Sequence, residues 1–260
     1  MDIILRKISK LFYFFKNFFK DFQYLKNEQI NNFKSLSLDY LMAEKKLKSI
    51  LNGNENISYD MKSEHLVLFS AISLKHNIKS ILEIGTFDAS TALLMTKIFP
   101  GANIKTLDLN TNDEIFFKNY KRDQKEYLRK HLEKRDNIIK NTNNINFYEM
   151  NSNLLTMEKS EPKYDLIWID GFHGNPTVTI DLVNSIRLVK KTGIIMCDDI
   201  ILKSKNSYDP YISDAAIKTL VQFEKIGLIK FQLFNKRLDK KNNYFLPEKK
   251  YIAYISVVKQ

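Results

Sequence analysis

From residue 80 onward, short apolar runs alternate with stretches of helical period. Strands are predicted at 80–84, 103–108, 145–149, 164–169 and 193–197, and helices at 89–98, 117–139 and 175–190. Leu166-Ile167-Trp168-Ile169 and Ile194-Ile195-Met196-Cys197 are apolar without a break. Parallel strands covered on both faces need that pattern. A helix near 212–226 follows, then two alternating runs, Ile229–Asn235 and Tyr251–Val258. The polar, turn-rich segment from Lys236 to Lys250 joins these runs into an antiparallel addition at the sheet edge. The expectation is a doubly wound α/β fold with five parallel strands and two late ones.

Upstream, residues 27–51 read as one helix ended by Asn52-Gly53-Asn54, and residues 61–76 as another. Residues 3–25 are amphipathic and aromatic: Ile4, Ile8, Leu11, Phe15, Phe18 and Phe22 share a face, with Arg6, Lys10 and Lys20 largely off it. Two readings stay open, a helix lying on a membrane surface and a helix packed on the domain or on a second subunit. The expected organisation is a helical extension over 1–58 and one domain over 59–260, with a charged helical insert at about 110–144. That insert reads as a solvated helix face or as a lid with substrate contacts.

Composition narrows the class. Hydrophobic residues are 44 % and charged residues 27 %, as in ordinary globular proteins. The net charge of +11 favours acidic partners, or else reflects a generally basic composition. The single cysteine, Cys197, excludes an internal disulfide and a multi-cysteine metal site, and fits a reducing compartment. No run of about 18 apolar residues is present, and the first residues do not read as a signal peptide. The expected location is the cytoplasm, with peripheral contact at the inner membrane face if residues 3–25 bind lipid.

The chemistry gathers at the carboxyl ends of the predicted strands, where ligands of open α/β sheets bind. These ends read Glu83-Ile84-Gly85-Thr86, Leu107-Asp108-Leu109, Asn151-Ser152, Asp170-Gly171-Phe172-His173 and Cys197-Asp198-Asp199. Gly85 lets a ligand approach the backbone of a strand–turn–helix. Asp108 at the second strand end suits a ribose diol. Ser90 and Thr91 suit a helix cap or a ligand carboxylate.

This set resembles the class I S-adenosylmethionine-dependent methyltransferases. It is carried by Glu83-Ile84-Gly85-Thr86-Phe87-Asp88-Ala89-Ser90-Thr91, Asp108, Asn151-Ser152 and Asp170-Gly171-Phe172-His173. Tyr164 to Ile200 is similar to a branch of small-molecule and sugar O-methyltransferases with an Ile-Asp-Gly-x-His motif. The resemblance implies a Rossmann-like, mostly parallel seven-stranded sheet with an antiparallel edge strand. It also implies S-adenosylmethionine held by Glu83, Gly85, Thr86, Phe87, Ala89, Ser90, Thr91, Asp108, Leu109, Asn151, Ser152 and Asp170. Phe87 and Ala89 stand where glycine is frequent, and the three-glycine dinucleotide fingerprint is absent.

For catalysis the candidates are His173 as general base and Asp170 beneath the reactive sulfonium. Asp170, Asp198 and Asp199 also form a candidate site for Mg²⁺ or a similar cation, unless the adjacent pair diverges. The expected activity is O-methylation of a hydroxylated small molecule or glycan. The competing reading is a non-catalytic binding or membrane-associated protein on the same scaffold. Nucleic acid is a disfavoured partner, since Asp170-Gly171-Phe172-His173 lacks the motif suited to a flipped base. The N-terminal helices offer a surface for self-association.

Overall fold

A computed structural model describes residues 22–52, 63–118, 124–157, 163–204, 206–209, 211–238 and 249–258. Most of the predicted 3–25 helix lies outside them. The helices are α1 (Phe22–Ser35), α2 (Tyr40–Asn52), α3 (His65–Lys75), α4 (Ser90–Ile98), α5 (Glu114–Lys118), α6 (Lys125–Lys140), α7 (Thr177–Leu188) and α8 (Ala215–Lys225). The strands are β1 (Ser80–Ile84), β2 (Asn103–Asp108), β3 (Ile145–Glu149), β4 (Tyr164–Ile169), β5 (Val189–Ile201), β6 (Ile229–Asn235) and β7 (Lys250–Val257). They form one Rossmann-like seven-stranded sheet in the order β3-β2-β1-β4-β5-β7-β6. β1 through β5 pair in parallel, and β7 runs antiparallel between β5 and β6.

Side chains alternate across the sheet and are buried on both faces. Ile81, Leu166, Trp168 and Met196 pack with Phe33, Leu47, Phe69 and Met95 from the first four helices. Leu82, Ile167, Ile195 and Cys197 pack on the other face with Leu182 and Leu220. Each fully buried Leu, Ile or Phe contributes roughly 1.5–3 kcal/mol relative to exposure. Among the described residues no helix is long and apolar enough to cross a membrane.

Three predicted boundaries change. The 27–51 helix is two, because Ser37 takes a left-handed φ of 55° and Asp39 Oδ1 accepts the Met42 amide at 3.0 Å to start α2. The 117–139 helix is represented by α5 and α6, with residues 119–123 between them outside the described set. The fifth strand does not stop at Cys197. Its ladder with β7 shifts between Cys197 and Ile200 and resumes through Ile201.

The N-terminal helices are tied to the sheet. Gln29 of α1 exchanges two hydrogen bonds with the Asn235 backbone, accepting its N–H at 3.0 Å and donating to its carbonyl at 3.1 Å. Gln29 also donates to Glu64 at 3.3 Å, and the Glu64 amide donates to the Lys236 carbonyl at 2.9 Å. Burial pushes the Glu64 carboxyl up to about 7.

Candidate functional site

Strand register brings the polar ends together. Ile84 pairs with Leu107 on one side and Ile169 on the other, and Ile169 pairs with Cys197. The residues that follow, Gly85, Asp108, Asp170 and Asp198, therefore lie side by side along one sheet edge. Gly85 has φ +100°, and a Cβ there would lie 2.3 Å from the Asp170 carbonyl oxygen. Only glycine lets these two turns cross so closely. Phe87 and Ala89 also adopt left-handed φ values, 49° and 61°. Such strain in non-glycine residues concentrates at functional turns.

A cavity of about 420 Å³ opens at this edge, a size suited to a small molecule. Gly85, Thr86, Phe87 and Thr91 line it from the first turn, and Asp108, Leu109, Asn151, Ser152 and Asp170 from the next three strand ends. Glu83, Ala89, Ser90 and His173 are not on its wall. Glu83 is fully buried beneath it and accepts from Thr106 Oγ1 at 2.6 Å, which is itself 2.6 Å from Thr86 Oγ1. Burial pushes the Glu83 carboxyl well above its ordinary range.

Asp108 Oδ2 accepts the Phe87 amide at 2.9 Å, and Oδ1 accepts the Leu109 amide at 2.8 Å. The two amide hydrogen bonds fix the group in place at the cavity wall, where a carboxylate presents acceptor oxygens. The pair of acceptor oxygens thus fits a ribose diol. Asp88 Oδ2 accepts from Lys134 at 2.6 Å, and the Phe87 ring meets the His131 ring edge-on at 4.6 Å. Burial pushes Asp88 up, but Lys134 and the Ser90 amide outweigh it and hold the carboxyl below its usual range. These contacts clamp α6 onto the turn. Elsewhere α6 carries a solvated ladder, in which Arg129 bonds Glu126 and Glu133. Ile115 and Phe116 of the same insert line the cavity.

At the cavity wall, burial of the Asp170 carboxyl together with the nearby Asp198 pushes it up to about 6. His173 sits behind it, 4 % exposed, with Nε2 3.5 Å from Asp170 Oδ1. Burial pulls the imidazole down, and Asp170, Asp199 and Asp198 outweigh it, so it is held above its ordinary value.

The carboxylates anticipated as a metal site hold a different cation. Lys236 Nζ lies 2.6 Å from Asp198 Oδ2 and 2.5 Å from Asp199 Oδ1, and Lys250 pairs with Asp199 Oδ2. Among the described residues no group of three or more His, Cys, Asp or Glu side chains is arranged to hold a metal ion. In this arrangement the Lys236 ammonium pairs with two of the three carboxylates anticipated as Mg²⁺ ligands, Asp198 and Asp199. Neighbouring strand residues ordinarily point to opposite faces, but the irregularity after Cys197 and the φ of 53° at Asp199 turn both carboxylates onto Lys236.

Among the wall residues that sequence reading missed are three with polar groups from outside the predicted strand ends. Lys236 follows β6, and Ser63 and His65 open α3. The His65 ring stacks on Trp168 at 5.2 Å, and its Nδ1 is 2.6 Å from Ser63 Oγ.

Residues 82–200, which span β1 to β5 and every carboxylate on the cavity wall, match the family model of a methyltransferase domain. No curated protein matches the chain. Cofactor-bound Rv0187 from MTB superposes with a TM-score of 0.53 at 15 % identity, over 84 % of this chain and 90 % of that one. The O-methyltransferase TomG from Streptomyces achromogenes, involved in tomaymycin synthesis and solved in complex with SAM, gives 0.52 at 12 % identity, over 90 % of this chain and 96 % of that one. At such identities the likeness speaks for the fold, a Rossmann-like methyltransferase sheet.

Proposed function

We propose that this chain is an S-adenosylmethionine-dependent methyltransferase acting on an oxygen of a hydroxylated small molecule or glycan. The observation that carries the reading is Asp108, a carboxylate pinned by two backbone amides on the wall of a cavity at the strand ends. The match of residues 82–200 to a methyltransferase domain supports it independently.

When bound, S-adenosylmethionine supplies a methyl group on a sulfonium. In this reading Asp108 accepts from the ribose hydroxyls, Asn151 and Ser152 border the adenine, and Thr86 and Thr91 lie along the methionine. Asp170 takes the acceptor's proton as its oxygen receives the methyl group in line. A carboxyl at about 6 is ionised at neutral pH and still basic enough for that task. His173 is a positioning residue, holding Asp170 from behind. Calorimetry with S-adenosylmethionine tests the reading: one site per chain is expected, and well-folded protein that does not bind overturns it.

A further inference from the structure

Lys236 occupies the position a bridging divalent ion would take. A hard cation sits about 2.0–2.6 Å from its carboxylate oxygens. The Lys236 ammonium lies 2.6 Å and 2.5 Å from the two aspartate oxygens that such an ion would bridge. Burial pulls the lysine down, but Asp198, Asp199 and Asp170 outweigh it, so the group stays cationic. Lys250 takes the other oxygen of Asp199. Asp198 and Asp199 therefore face two ammoniums, and Asp170 beside them faces the His173 imidazole, which leaves little net charge to attract a dication. An ammonium has three N–H donors. Two go to Asp198 and Asp199, which leaves one for a molecule in the cavity that Lys236 lines.

We propose that Lys236 is the built-in cation of this site, excluding divalent metal from Asp198 and Asp199 and orienting the acceptor oxygen beside Asp170. A metal ion offers several coordination positions and can chelate two neighbouring hydroxyls. The lysine offers one donor and takes one oxygen. The matching acceptor is defined by a single hydroxyl or anionic oxygen, with no need for a vicinal diol. The orienting role rests on the methyltransferase reading. The exclusion of metal does not.

The test is Mn²⁺ titration followed by electron paramagnetic resonance. It uses full-length wild type, Lys236→Ala and Lys236→Arg, each checked for folding by circular dichroism. Wild type and Lys236→Arg should leave Mn²⁺ free. Lys236→Ala should bind one ion per chain at least tenfold more tightly than wild type, and adding Asp198→Asn should abolish this. If Lys236→Ala does not fold, Lys236→Gln takes its place. Wild type binding Mn²⁺ at a site lost on Asp198→Asn overturns the proposal. So does a folded Lys236→Ala or Lys236→Gln protein that binds none. Calorimetry of S-adenosylhomocysteine on the same preparations reports separately on the methyl-donor site, so the two failures are distinguishable.

Discussion

The Asp108 carboxylate accepts the backbone amide of Phe87 at 2.9 Å, so the last residue of β2 holds the turn that follows β1. Removing it costs the turn its anchor and, in the proposed reading, the ribose its diol partner. Hydrogen bonds to a charged group are worth about 1.5–3 kcal/mol each. Asp108→Ala should weaken S-adenosylmethionine binding by roughly tenfold to a hundredfold in calorimetry, and unchanged affinity would sink the ribose assignment.

Gly85 tests the crossing of the first and fourth strand ends. An alanine methyl there would meet the Asp170 carbonyl at 2.3 Å, at a φ that side chains rarely adopt. Gly85→Ala should destabilise by more than about 2 kcal/mol in urea unfolding. The same substitution at Gly227, also at positive φ but with open space around it, should cost less.

His173 lowers the Asp170 carboxyl, both by its hydrogen bond and by its charge. In His173→Ala that restraint is gone, and Asp170 should rise further above about 6. The acid limb of the pH–rate profile, or the Asp170 carboxyl signal in ¹³C NMR, should move to higher pH. Donor binding should be unaffected. A limb that stays in place rules out the positioning role.

Glu64 gives a stability prediction with a definite sign. Burial raises its folded-state pKa to about 7, while the unfolded chain ionises near the ordinary value of about 4.3. Between these values the folded state binds more protons, so stability falls as pH rises and levels off above the upper one. Glu64→Gln should flatten that slope, read from urea midpoints across pH, and a slope that persists would refute the assignment.

The sheet and most of the cavity were legible because parallel strands leave unbroken apolar runs, and their polar ends mark one edge. Asp108 and Asp170 could be placed from that pattern alone. The charge state of the acidic cluster could not. Lys236 is 37 residues beyond Asp199 and arrives through strand pairing, on a segment that read only as a polar turn. His65 was hidden for a similar reason: it opens a helix, and its ring reaches the cavity by stacking on Trp168. Asp198 and Asp199 looked like a strand end, whereas the strand bends at them and continues. A count of acids along the chain does not say which cation neutralises them.

The sheet order also makes one strand depend on another. β6 precedes β7 in the chain but touches the rest of the sheet only through it. β6 has no strand partner other than β7, so it joins the sheet only with β7 in place. Lys236 and Lys250 flank the connection between these strands, so they reach Asp198 and Asp199 through that pairing. The same strand pairing that completes the sheet thus brings the neutralising ammoniums to the acidic cluster.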